Sequence, residues 1–311
     1  MKLSNSIKLV MTNFNLFWKL LIYMIVCIAI TGLLLMPVSN IFVTALKDAN
    51  FINEATKLFN GVAFQGLGMF MSTISSVILT FVNALGILAQ NGVAVLIYIV
   101  FILFVFFPFL FHISNIATSE CVYSYMTSLR KNSFVVSLLD KFGLSVGYSI
   151  LKTLFELPFY ALLVWLAYII AGLGSISGVM QFITPLIWII CMILVLDLKA
   201  TILGGWAQSI VTFNVCATRA IKKGFKSVSR NYLATLSSFA VVITIAFSVV
   251  VLFGAFALVL IVPLFSLITC VFGQVLFFES QGMDYYTSQV SIIKPRKLEQ
   301  SDSIKKVKFK I

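Results

Sequence analysis

Six ionisable side chains interrupt the apolar stretches of this sequence or stand at their ends. They are Lys152, Glu156, Asp197, Lys199, His112 and Glu279. Charge inside a long apolar stretch is costly, so each is a candidate for function. Lys152 and Glu156 lie four residues apart, which places them on one face of a helix. We expect the six groups to line a polar cavity open to the cytoplasm. The alternative is that Lys152, Glu156, Asp197 and Lys199 pair with one another, Asp197 with Lys199 among them, or extend to the lipid headgroups, and only support the structure.

The sequence offers little for catalysis or metal binding. It has 1 histidine and 5 cysteines, and no two cysteines form a CxxC pair. No nucleophile and base stand in a pattern typical of a catalytic site, and no glycine-rich loop has a phosphate-binding motif. The cysteines are typical of small buried side chains. We therefore predict no metal site, no cofactor and no enzymatic activity.

Four runs of the chain contain no Asp, Glu, Lys or Arg. These runs indicate which kind of secondary structure positions the six ionisable residues. The runs cover 20–46, 58–119, 157–196 and 231–278. About 20 apolar residues suffice for one helical crossing of a bilayer. Hydrophobic residues make up 61% of the chain, against about 45–50% in soluble domains. The sequence predicts an all-α polytopic membrane bundle, with one membrane domain over 1–283 and a flexible, basic, cytoplasmic tail over 284–311.

Hydropathy predicts six transmembrane helices, the last two joined by a short turn at Pro263. The predicted spans are 16–38, 92–112, 149–172, 182–205, 233–262 and 264–280. Lys and Arg gather in the segments 113–148 and 214–231 and in the tail, so the positive-inside rule places these segments and both termini in the cytoplasm of a bacterial cell, the bundle lying in the plasma membrane. The net charge of +12 is accounted for in this way, and we predict no nucleic-acid partner.

The segment 69–89 is apolar but carries a polar stripe. Ser72, Ser76, Thr80 and Asn83 recur at spacings of four, four and three, which places them on one helix face. We interpret the segment as a re-entrant or interfacial helix, or one packed against the bundle. The alternative is a seventh span, which would put the basic N-terminus outside the cell.

The same apolar stripe, with residues at spacings of four, three and four, precedes the first, third and fifth spans. The sequence therefore predicts a threefold repeat of amphipathic interfacial helix, span and span, the first and third copies being offset by 218 residues. The stripes are Leu3, Ile7, Val10 and Phe14; Val135, Leu139, Phe142 and Val146; and Ile221, Phe225, Val228 and Tyr232.

The third amphipathic helix carries the most positive charge. Its basic residues are Arg219, Lys222, Lys223, Lys226 and Arg230, with no acid among them. A basic amphipathic helix beside a membrane is expected to lie in the headgroup layer. Each basic residue there contributes roughly 1 kcal/mol of attraction to anionic lipid. We predict that the lipid bilayer and its anionic phospholipid headgroups are partners of this helix.

The run from Gly224 to Tyr232, GFKSVSRNY, opens a span after a basic helix. In this respect the chain resembles uncharacterised bacterial six-span membrane protein families, such as the membrane domain fused to some glycerophosphodiester phosphodiesterases. The resemblance covers the architecture and this one short motif. It implies six spans and no active site, because the sequence holds no phosphodiesterase catalytic domain.

Three functions are compatible with these features. The first is a non-enzymatic scaffold or accessory component with other membrane proteins as partners, favoured by the missing catalytic motifs. The second is a transporter or permease component that uses the cytoplasm-facing cavity, and the repeat supports it. The third is a membrane-embedded lipid-handling enzyme, for which we find no nucleophile and base.

Overall fold

A computed structural model describes residues 2–58, 67–174, 178–230, 232–254, 256–288 and 291–293, and most of them are helical. A 3-10 turn, Met36–Val38, continues α2 into α3, and a π-helical turn, Ile102–Phe106, joins α6 to α7. The elements are α1 (Lys2–Thr12), α2 (Asn15–Leu35), α3 (Ser39–Asp48), α4 (Phe51–Leu58), α5 (Leu67–Gln90), α6 (Val93–Phe101), α7 (Phe107–Ser128), α8 (Phe134–Asp140), α9 (Phe142–Gly174), α10 (Gly178–Leu203), α11 (Trp206–Phe213), α12 (Ala217–Arg230), α13 (Tyr232–Phe253), α14 (Phe256–Gln281), β1 (Tyr285–Ser288) and β2 (Ser291–Ile293).

The described part of the chain contains 7 helical stretches that are long and apolar enough to cross a membrane. The protein is therefore an all-α polytopic bundle, as the charge-free runs predicted. The stretches are Asn15–Asp48, Ser72–Gln90, Val93–Ser128, Phe142–Ile170, Ile183–Phe213, Thr235–Phe253 and Ala257–Gln281.

Two hydrogen bonds fix the relative direction of the first spans. The Tyr23 hydroxyl donates to the Leu110 carbonyl, and the Tyr98 hydroxyl donates to the Leu34 carbonyl, each over 2.7 Å. Residue numbers rise along α2 while they fall along α6 and α7, so the two spans are antiparallel. The end of α2 and the start of α6 therefore lie at the same end of the bundle.

Helix α5 is the additional apolar helix between these two spans. Its Phe81 ring contacts Phe51 of α4, and its Leu88 packs with Ala45 and Ile99. The last turn of α5 thus lies where α2 ends and α6 begins. The chain between α2 and α6 therefore starts and finishes at the same end of the bundle, and α5 does not change the number of net crossings. The alternating spans are α2, α6–α7, α9, α10, α13 and α14. This arrangement agrees with a re-entrant or packed helix over 69–89.

The turn between the last two spans differs from the prediction. Pro263 lies inside α14, and the chain turns at Gly254 instead. Gly254 has a φ of +76° and its amide donates to the Val250 carbonyl over 2.8 Å, a glycine termination of α13. The predicted bounds 233–262 and 264–280 are therefore wrong at this turn. Proline is tolerated within membrane helices, so it was a poor marker of the boundary.

The helices pack with the predicted threefold order. Each amphipathic helix contacts the end of the preceding repeat: α8 lies on α7, α12 on α11, and α1 closes the ring on α14. The long helices likewise form a closed ring in the order α2, α7, α9, α10, α13, α14. Contacts among α7, α11 and α14 fill its centre, and α14 is the most buried span. We call the end of the bundle that holds α1, α8, α11, α12 and the β-strands the basic end.

The stripes of the amphipathic helices are largely exposed, as expected of surfaces that face lipid. Val10 is buried in the core beside Leu9, and Val146 and Ile221 are half-buried. The side chains of Leu3 and Val228 lie outside the described residues. The exposed stripe residues are Ile7, Phe14, Val135, Leu139, Phe142, Phe225 and Tyr232.

The tail begins with structure instead of a flexible chain. Strands β1 and β2 pair antiparallel, with Tyr285 opposite Ile293. Tyr285 is fully buried and its ring packs on Phe278 of α14, which anchors the hairpin at the basic end. The prediction of a flexible tail is therefore wrong for 285–288 and 291–293, and residues 294–311 lie outside the described part.

Candidate functional site

A cavity of about 270 Å³ lies inside the helix ring, lined by α7, α9, α10, α11, α13 and α14. Helix α9 supplies one polar wall through Tyr148, Lys152, Glu156 and Tyr160. These residues follow one another at intervals of four, so a single helix face carries all of them. The α-helical period thus places an acid, a base and two hydroxyls along one side of the cavity.

Glu156 is the centre of this wall, and its side chain is only 1% exposed. Its Oε2 atom lies 2.9 Å from His112 Nε2 and accepts a hydrogen bond of 2.8 Å from the Tyr160 hydroxyl. Lys199 Nζ approaches the same oxygen to 3.4 Å, and Lys152 Nζ lies 3.9 Å from Oε1. A buried carboxylate is retained only where such partners compensate its lost hydration.

Both ring nitrogens of His112 have a hydrogen-bond partner. Asn115 Nδ2 lies 3.3 Å from Nδ1, and an amide nitrogen can only donate, so Nδ1 is the acceptor. Nε2 then carries the hydrogen and donates it to Glu156. The ring is held as this neutral tautomer, with neither nitrogen directed at a hydroxyl or thiol among the described residues. The arrangement orients Glu156 and does not resemble a nucleophile with its base.

Lys152 and Lys199 both lie close to the single carboxylate of Glu156. Lys199 donates to the Tyr160 hydroxyl over 3.2 Å and its ammonium stands 4.7 Å from the centre of that ring. Lys152 stands 5.7 Å from the centre of the Tyr148 ring. Where both lysines are protonated, two ammonium groups share one carboxylate, and the wall then has one positive charge in excess.

The rest of the lining is mainly apolar. Aromatic and aliphatic side chains from several helices face the charged wall, so the cavity is amphipathic. They include Phe107, Phe111, Leu203, Phe239, Val262 and Phe265.

Exposure of the lining changes from one end of the cavity to the other. Towards the basic end, Ser119, Ala207 and Gln208 are buried, whereas Val262 at the opposite end is 38% exposed. The lining is thus buried towards the basic end and exposed at Val262. Helices α11 and α12 pack beneath the cavity at the basic end, and the opening towards the cytoplasm stays a prediction.

Interrupted helices border the cavity on two sides. The π-helical turn ends immediately before Phe107 and Pro108, which line it. The break between α10 and α11 falls at Gly204 and Gly205. A Cβ atom on Gly205 would stand 3.0 Å from the Gly224 carbonyl oxygen, so glycine permits the close approach of α12. Irregular turns inside membrane helices are frequent at binding sites.

Four of the six predicted site residues meet at this cavity: Lys152, Glu156, Lys199 and His112. Asp197 does not line it. Asp197 precedes Lys199 by two residues, which turns its side chain to another face of α10, and Lys199 pairs with Glu156 instead. The Asp197 side chain is buried, and its Oδ1 has no hydrogen-bond partner among the described residues. The predicted Asp197–Lys199 pair is therefore wrong.

Glu279 also lies away from the cavity. It accepts a hydrogen bond of 3.0 Å from the Tyr285 hydroxyl at the basic end. Burial raises the pKa of Tyr285, so this hydroxyl remains a donor. Glu279 thus helps to hold the β-hairpin against α14.

Sequence reasoning missed Tyr148, Tyr160, Asn115 and Gln208. The two tyrosines could have been found, because they extend the Lys152–Glu156 pair by one interval of four in each direction. The two amides stand singly on α7 and α11 and give no periodic signal.

The basic residues of α12 form a separate, exposed surface. Lys223 Nζ lies 4.0 Å from the centre of the Phe213 ring. We refer to Lys222, Lys223 and Lys226 as the α12 lysines. They are exposed, as is Arg219, whereas the side chain of Arg230 lies outside the described residues.

Comparison of the chain with known protein families, with curated proteins and with solved structures finds no match.

Proposed function

We propose that this integral membrane protein binds an anion in its central cavity and carries it as a transporter or permease component. The observation behind the proposal is the unequal charge of the wall, where Lys152 and Lys199 face the single carboxylate of Glu156. At an effective dielectric constant of about 20, one unit charge attracts an opposite one 4 Å away by about 4 kcal/mol. An anion in the cavity would complete the charge balance.

The cavity supports a binding role better than a catalytic one. Both nitrogens of His112 are occupied by Glu156 and Asn115. Helix interruptions beside a cavity and a repeated architecture are common in transporters, where they allow one group of helices to move against another. A scaffold has no need of two partly buried lysines around a single carboxylate, so we favour the transporter over the accessory component.

The distribution of basic residues supports an orientation for this transporter. The α12 lysines and Arg219 are exposed at the basic end, where the amphipathic helices also present apolar side chains. We place this end in the cytoplasmic headgroup layer of a bacterial plasma membrane, in contact with anionic phospholipids. Under this orientation the exposed part of the lining, at Val262, lies away from the cytoplasm.

Anion-dependent stabilisation tests the proposal. The purified protein in nanodiscs of phosphatidylcholine is titrated with acetate, inorganic phosphate or octanoate, each against the chloride salt at equal ionic strength, and its Tm is recorded. We expect at least one of these anions to raise the Tm, because a ligand that binds only the folded state stabilises it. Lys199→Gln should lower the affinity for that anion by about tenfold or more, since the substitution removes a charge-assisted contact.

Lys57→Gln is the matched control, because Lys57 is an exposed lysine on α4 that pairs with Glu54 and does not line the cavity. It should bind as the unsubstituted protein does. Equal Tm values in every anion, or equal affinity in the Lys199 variant, would overturn the proposal.

A further inference from the structure

The size and lining of the cavity narrow the class of anion. A volume of about 270 Å³ corresponds to about nine waters at roughly 30 Å³ each. Acetate or inorganic phosphate alone would fill only part of this space. Ligand cavities commonly span about 300–1,000 Å³, so this one has the size of a site for a small ligand.

The charged groups occupy one wall only. Lys152 and Lys199 lie on α9 and α10. The lining from α13 and α14 has no charged side chain and consists of Phe239, Val262 and Phe265 together with Ser266, Thr269 and Cys270. A ligand that contacts both walls needs an anionic group on one side and an apolar body on the other. The most exposed of the lining side chains, Val262, is apolar, so an apolar chain can extend towards the opening.

From these features, and resting on the proposed anion site, we infer that the ligand is a single-chain anionic amphiphile, an alkyl chain that ends in a carboxylate or a phosphate. Its acidic group lies between Lys152 and Lys199, and its chain runs along Phe239 and Phe265 towards Val262. The Gln208 side chain closes the inner end: its Nε2 donates to the Cys270 carbonyl over 3.3 Å, and its Oε1 has no partner within the described chain.

A chain-length series tests the inference. Acetate, butyrate, hexanoate, octanoate and decanoate are titrated into nanodiscs of phosphatidylcholine, and occupancy is followed by native mass spectrometry. Affinity should rise about fourfold for each buried methylene group, until the chain fills the cavity, and then level off. An alkyl phosphate of the same chain length separates a requirement for carboxylate from one for any anion.

Alkyl carboxylates also partition into the lipid of the disc, so a variant must report the cavity itself. Val262→Trp shortens the space near the opening and should shift the plateau to shorter chains, while acetate binding is retained. Leu258→Trp is the matched control, because Leu258 is an exposed residue of α14 outside the lining. Partition alone would give the same affinity in both variants at every chain length.

The outcomes separate this inference from the proposed function. Equal affinity for acetate and octanoate, or an unchanged plateau in Val262→Trp, would overturn the amphiphile and leave an anion site. If no chain length and no phosphate binds, both proposals fail together.

Discussion

Replacing Glu156 by glutamine removes the one carboxylate that the two cavity lysines share. The change keeps the shape of the side chain but leaves Lys199, at 3.4 Å, and Lys152, at 3.9 Å, without a counter-charge. With an effective dielectric constant of about 20, these two attractions amount to about 5 and about 4 kcal/mol. The loss of hydration of the carboxylate offsets part of this, and broken buried pairs typically cost about 3–5 kcal/mol.

We therefore expect Glu156→Gln to lower the Tm by an amount on the order of 5–10 °C. Thermal unfolding in phosphatidylcholine nanodiscs measures this change. Asp197→Asn is the matched control, because Asp197 is a buried acid of α10 with no salt bridge among the described residues. It should change the free energy of unfolding by less than about 1 kcal/mol.

A double-mutant cycle separates the ion pair from other effects of the glutamine. Lys199→Met alone removes one attraction but leaves Glu156 paired with Lys152, so it should lower stability less than Glu156→Gln does. In the presence of Glu156→Gln it should recover stability, with a coupling free energy of about 1–3 kcal/mol. A coupling near zero, or a glutamine variant as stable as the unsubstituted protein, would refute the electrostatic account of the wall. Because Glu156→Gln raises the excess positive charge, octanoate should stabilise it more than the unsubstituted protein.

Further predictions concern the basic end. Gly224→Ala places a Cβ atom 2.7 Å from Trp206 Cδ1 and should lower the free energy of unfolding by about 1–3 kcal/mol, whereas Gly147→Ala meets open space and should be neutral or stabilising in the same thermal assay. Replacing the α12 lysines by glutamine should weaken the stabilisation by anionic over zwitterionic lipid without lowering the Tm in phosphatidylcholine, as lipid-dependent thermal shifts can measure; an unchanged preference would exclude headgroup binding there. On a cysteine-free background, Asn53→Cys should react with a membrane-impermeant maleimide added outside cells and Lys8→Cys should not, and the reverse pattern would invert the proposed orientation.

The sequence alone determined the class of fold, because hydrocarbon excludes charge so strongly that four charge-free runs leave few alternatives to membrane helices. It also indicated the threefold order, since each amphipathic helix must show the same apolar spacing before its span. On α9 it placed Lys152 beside Glu156 through the helical period. These features are local, and short-range geometry fixes them.

Only the tertiary structure decided which charges meet. Glu156 pairs with His112, which stands 44 residues earlier, and with Lys199 of the neighbouring helix. The rotation of α10 about its axis turns Lys199 towards the cavity and Asp197 away from it. In an almost uniformly apolar helix no polar stripe reports that rotation, so the sequence could not choose between the two residues. The burial of the lining at the basic end likewise depends on contacts of α11 and α12 with α14, which is distant from both in the chain. Close approaches of Gly205 to Gly224 and of Gly273 to Gln208 contribute to this packing, and these residues form no periodic pattern in the sequence.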